Sequence, residues 1–211
     1  LSNSAAYSSP GESLDLQGAV QKVGFGETLR LVGGILSRQL FMRDLPGYGM
    51  TADEYWNYSY YCAAFMEEIA PSIGMHRDIS YLSGLLHGIG RLANNEILNE
   101  ADPVEIYWDS NLAGEDWEEA MGLKSYMESG ADLLRSWNFP EALCELVENQ
   151  RNPEYLRTSK AAMVLDYARS QVESNRPAIG PVKQPWRILE DHAVFTELKL
   201  NLEEVTAVHE K

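Results

Sequence analysis

The stretch Thr51–Gly74, TADEYWNYSYYCAAFMEEIAPSIG, decides the fold class. Thr51 followed three residues later by Glu54 is a capping box, in which each side chain takes up a backbone N–H that the helix start leaves free. Behind it Tyr55, Tyr58, Cys62, Phe65, Met66, Ile69 and Ile73 recur at steps of three and four. This spacing predicts an amphipathic helix of about 20 residues, with its end near Pro71 to Gly74.

The same period continues on both sides. Downstream, a helix starts near Asp78 with the stripe Ile79, Leu82, Leu86, Ile89, Ala93 and Ile97. Leu123–Trp137 stops before Pro140, and Pro140–Asn149 begins on a proline, whose missing N–H costs nothing there. Tyr155–Glu173 reads as one long, uninterrupted helix. Upstream, Leu14–Val23 and Glu27–Phe41 form a pair split by Gly24 and Gly26. Period-2 alternation, Asn-Gly hairpins and strand–turn–helix alternation are missing. The chain is expected to be all-α, about eight to ten helices with negligible strand.

At 175–185 the pattern breaks. Three prolines, Pro177, Pro181 and Pro185, predict an extended linker. Residues 186–211 read as a small helical appendage, with Trp186 as a docking anchor and Asn201 as a helix cap. The domain reading is a helical bundle over 1–174, the linker, and the appendage.

Composition bounds the function. The 211 residues suit one large domain or two small ones. Apolar content of 45% and charged content of 23% are those of a globular chain. A net charge of −15 opposes nucleic-acid phosphates and anionic lipid. No run reaches the roughly 18 apolar residues of a membrane span. Cys62 and Cys144 make neither a disulfide scaffold nor a zinc knuckle, so a reducing cytoplasm fits best. Both stand on apolar helix faces and are expected in the core. Leu1-Ser2-Asn3-Ser4 is neither a signal peptide nor an initiator methionine, and the chain is expected to begin inside something larger.

Between Arg91 and Lys124 there are nine acids and no base: Glu96, Glu100, Asp102, Glu105, Asp109, Glu115, Asp116, Glu118 and Glu119. They make a solvated acidic face or a docking surface for a basic partner. Tyr55, Tyr58, Tyr60 and Tyr61 form a second cluster, either packed with hydroxyls at the bundle edge or presented for recognition.

Phosphate-binding loops, H-E-x-x-H, C-x-x-C and G-x-S-x-G are all missing. The segment Leu85–Leu92, LLHGIGRL, is more informative. Gly84, Gly88 and Gly90 sit inside a helical pattern, at about 1 kcal/mol each relative to alanine. Close helix packing or access to a site would explain them. His87 lies off the aliphatic stripe, beside Ser80, Ser83, Gly84, Gly90, Arg91 and Asn94. It is either a histidine hydrogen-bonded within the bundle or a ligand, present or vestigial. His76 and His192 fall in loops and have no assigned role.

LLHGIGRL resembles the L-L-H-D-I-G-K-L signature of HD-type phosphohydrolase folds. Leu1-Ser2-Asn3-Ser4-Ala5-Ala6-Tyr7 is similar to the L-x-N-S-A-x-Y segment of the HDOD family, the HD-related output domains of bacterial signalling proteins. Ser13 to Gly24, Gly26 to Leu31, and the set Glu128, Gly130, Leu133, Leu134, Trp137 and Pro140 match further HDOD motifs in order. The resemblance covers about residues 1–174 and implies that several helices precede Leu1.

A catalytic HD site holds metal with a histidine, a His-Asp pair and a distant aspartate. By the resemblance these positions fall on Tyr58, on His87-Gly88 and on Asp166. Positions for a second metal fall on Tyr126, Gln150 and Arg151. Imidazole and carboxylate donors are therefore depleted, and no metal, cofactor or catalytic residue is expected. His87 and Asp166 are expected to hydrogen-bond across the old cleft, or Asp166 to pair with a base on its own helix. Restoring Tyr58→His and Gly88→Asp together is expected to recover some metal binding. The resemblance implies a cytoplasmic, non-catalytic signal-transduction module of response-regulator type, working on a protein partner or an attached domain, not on nucleic acid or membrane. Two alternatives stand beside it. One is a metal-dependent phosphohydrolase of nucleotides or phosphoesters. The other is a small-anion sensor using the vacated cleft, with Arg91 as the contact.

Overall fold

A computed structural model describes residues 41–100, 114–174 and 192–200. The expected helices at 14–23 and most of 27–41, the linker, Trp186 and the Asn201 cap lie outside the described residues.

The described residues are α-helical, with one short 3-10 turn, Pro46–Tyr48, and an isolated bridge between Leu45 and Met50. In chain order the helices are α1 Ala52–Ile73, α2 Arg77–Leu86, α3 Gly90–Glu100, α4 Gly114–Ala120, α5 Tyr126–Ser136, α6 Glu141–Asn149, α7 Pro153–Thr158, α8 Lys160–Ser174 and α9 Ala193–Glu197. The all-α reading holds. No helix among the described residues is long and apolar enough to cross a membrane.

Both halves of the capping box at Thr51 and Glu54 form, and Gly74 closes α1 in the left-handed conformation. The stripe of α1 divides between two cores. Tyr55 and Ala63 pack with Leu82, Leu85 and Ile89 on one side. Tyr58, Cys62, Phe65 and Met66 pack with Leu165 and Tyr167 of α8 on the other. Helix α1 thus runs against both α2 and α8, while α3 packs on α5 and α5 on α6. Cys62 and Cys144 are buried and free, as expected. Residues 192–200 lie on α8, with Val194 fully buried and Phe195 edge-on to Tyr167.

Three boundaries differ from the sequence reading. The helix expected from Asp78 through Ile97 is two helices broken at 87–89, and Ile97 is 55% exposed. Its position on the stripe was an artefact of carrying one helical phase through that turn. Leu123 precedes its helix, which starts at Tyr126 behind a second capping box formed by Ser125 and Glu128. The expected long helix at 155–173 is interrupted at Ser159. Asn152 and Pro153 start α7, and the extended Ser159 takes the Ala162 N–H at 3.2 Å to start α8.

The acidic stretch is not wholly a surface. Of the side chains described there, Glu96 is exposed and pairs with Arg43, whereas Glu118 is buried. The Glu118 carboxylate accepts from the Tyr48 hydroxyl, the Asn94 amide and the Tyr126 N–H. It ties α4 to α3 and α5.

Candidate vestigial metal cleft

The two glycines flanking the 87–89 turn explain why the elements meet so closely. A Cβ at Gly84 would strike the backbone of Cys62 and Ala63 in α1, and one at Gly90 would strike the backbone of Tyr126 and Gly130 in α5. The turn between them is held from both sides. The Tyr55 hydroxyl donates to the Gly88 carbonyl at 2.6 Å, and Gln150 Nε2 donates to the His87 carbonyl at 2.8 Å.

His87 is fully buried. Its Nδ1 donates to the Gly84 carbonyl at 2.6 Å, which fixes the tautomer and leaves the lone pair on Nε2. Nε2 has no hydrogen-bond partner. Burial, and then the charge of Arg91, lower the His87 pKa from 6.5 to about 3, so the ring is neutral. The Tyr58 ring stands edge-on to it, centroids 4.9 Å apart, and the Tyr58 hydroxyl donates to Glu173 at 3.1 Å. Burial raises the Tyr55 and Tyr58 pKa values, which keeps both phenols neutral.

Arg91 rises from the first turn of α3, its guanidinium carbon 3.9 Å from the centre of the Tyr126 ring and 5.5 Å from that of Tyr58. A Cβ on Gly88 would lie 2.7 Å from Arg91 Nη1. The guanidinium therefore takes the room that a side chain at position 88 would need. An aspartate introduced by Gly88→Asp would stand against the tip of this side chain.

Asp166 does not reach His87. Its carboxylate lies 3.3 Å from His192 Nε2 and 3.6 Å from Arg169, one turn along α8. The second alternative, pairing within its own helix, is the one realised. His192, which has no assigned role in the sequence reading, also caps α9 by accepting the Val194 N–H at 3.2 Å. Arg169 is the residue that sequence reading missed. It is 2% exposed and lies in register with buried Ala162, Leu165 and Val172. An arginine inside an apolar stripe was the available signal.

The cleft thus gathers Tyr58, His87, Gly88, Arg91, Tyr126 and Gln150, with Asp166 joined to it through Arg169. Arg151 is exposed. Among the described residues no group of three His, Cys, Asp or Glu side chains is placed to hold a metal. The donor set does not fit a divalent cation. One neutral imidazole faces two guanidiniums, and a cation there would meet like charge.

These features define an all-helical bundle in which one buried histidine and two buried arginines line a common cleft. The chain belongs to the HDOD domain family, whose model matches residues 1–153. The match stops before α8, so Asp166 and Arg169 lie outside it. A solved structure described as "Putative phosphohydrolase" from Shewanella amazonensis SB2B is similar over 94% of this chain and 73% of that one, with a TM-score of 0.63 and 21% identity. An HDOD domain protein of unknown function from Geobacter sulfurreducens is similar over 99% of this chain and 68% of that one, with a TM-score of 0.55 and 18% identity. At these identities the likeness is one of fold. An uncharacterized protein of Treponema pallidum (strain Nichols) is 28% identical over 156 residues, 72% of this chain. This chain spans 30% of the length of that relative.

Proposed function

We propose that this chain is a non-catalytic regulatory module of a cytoplasmic bacterial signalling protein, acting through contact with a partner protein or an attached domain. The observation that carries the reading is the Arg91 guanidinium, packed on Tyr126 and filling the space beside Gly88. Metal-assisted hydrolysis needs a cation with an exchangeable position, to polarise the phosphoryl group and activate water. A guanidinium offers charge but no such position, and it stays protonated throughout the ordinary pH range. The fold alone argues neither way, because related folds host unrelated activities. Trp137, 42% exposed beside Phe139, is an aromatic anchor of the kind that interfaces use.

The test is phosphate release from a panel of nucleotides and phosphodiesters with added manganese. The expected result is no turnover above a buffer blank. Turnover that disappears in folded His87→Ala and Asp166→Ala variants would establish the phosphohydrolase reading instead.

A further inference from the structure

A buried polar group without a partner costs about 1–3 kcal/mol, more if it is charged. The cleft holds several. Arg91 Nη1, Arg169 Nε and Nη1, and the Tyr126 hydroxyl have no hydrogen-bond partner, nor do the acceptors His87 Nε2 and Gln150 Oε1. The nearest carboxylates to Arg169 are Asp166 at 3.6 Å and Glu173 at 3.9 Å, too long for good hydrogen bonds. Glu173 is in any case 53% exposed. Arg91 makes no ion pair among the described residues, and its charge rests against tyrosine rings. Both arginines act on His87, where each disfavours the protonated ring. Two buried arginines and a phenol with unpartnered donors thus share the cleft with one unpartnered imidazole nitrogen.

We propose that Arg91, Arg169, Tyr126 and His87 form a binding site for a hydrogen-phosphate group, either inorganic phosphate or a phosphate monoester bound as its monoanion. The guanidiniums donate planar N–H pairs to the unprotonated oxygens, the geometry for which arginine suits phosphate. The Tyr126 hydroxyl donates to a third oxygen. His87 Nε2 accepts the O–H of the ligand, because the bond from Nδ1 to Gly84 leaves Nε2 no proton to give. Sulfate presents no O–H at neutral pH, so the site discriminates against it. The site stands independently of the regulatory reading, since a module that binds no phosphate is still without a metal centre.

The test uses the whole chain, with inorganic phosphate, phenyl phosphate and sulfate titrated at constant ionic strength and followed by calorimetry. Saturable phosphate binding is expected, with sulfate weaker by about tenfold, or about 1.4 kcal/mol. Phenyl phosphate binding as tightly as phosphate assigns the site to monoesters, and weaker binding assigns it to the free ion. Arg91→Gln and Arg169→Gln should each weaken phosphate by about tenfold or more. Where those variants fail to fold, Tyr126→Phe carries the test: it keeps the ring under Arg91, removes only the hydroxyl and should weaken phosphate severalfold. No saturable binding, equal binding of sulfate, or unchanged phosphate affinity in folded Tyr126→Phe would each overturn the proposal.

Discussion

Gly90 brings two general arguments into conflict. Helix propensity makes alanine about 1 kcal/mol better than glycine inside a helix. The α5 backbone at Tyr126 and Gly130 leaves no room for a Cβ there. Backbone cannot swing aside as a side chain can, so the steric term wins. Gly90→Ala is expected to destabilise the protein by about 2–3 kcal/mol in urea unfolding. A neutral or stabilising effect would mean that the close approach is not what keeps glycine at this position. Gly88 differs, because its nearest obstacle is the tip of the Arg91 side chain. From sequence the three glycines of LLHGIGRL and its flank carried the same unexplained cost. Their separate reasons are distances to other helices, which local spacing does not encode.

Elements were legible where their signals are local. The capping box at Thr51, the apolar stripe of α1 and the stop at Gly74 are all set within about one turn of chain. Ser125-Tyr126-Met127-Glu128 is an equally local signal, and it starts α5 at the position that presents Tyr126 to Arg91. Ser125→Ala is expected to cost about 1 kcal/mol, measured by thermal or urea unfolding, because Glu128 N–H loses its acceptor. A change of only a few tenths would show that the cap is replaced by water. The breaks at 87–89 and Ser159 were harder to read. Apolar residues run through both, and what divides the helices at 87–89 is the hold that Tyr55 and Gln150 exert on the turn carbonyls.

For the molecule as a whole, the neutral His87 links stability to pH. Its pKa is 6.5 when unfolded and about 3 when folded. Between these values the unfolded chain binds a proton that the native protein does not, so stability is complete above about 6.5 and is lost as the pH falls towards about 3. Wild-type stability should therefore fall more steeply than that of His87→Gln between about pH 7 and about pH 5, by urea unfolding. Parallel profiles would mean that His87 is charged in the fold or reachable by water. The amino-acid sequence by itself determined the helical class and the membership in HDOD, since these rest on residue identity and short-range period. Only the tertiary structure decided that Arg91 fills the gap beside Gly88, that Arg169 is buried beside the same imidazole, that Glu118 turns inward and that Asp166 answers to His192 rather than His87. Each of those outcomes depends on which helices come within a few ångströms of one another. That is settled by packing between segments tens of residues apart, where the pattern along the chain carries no phase.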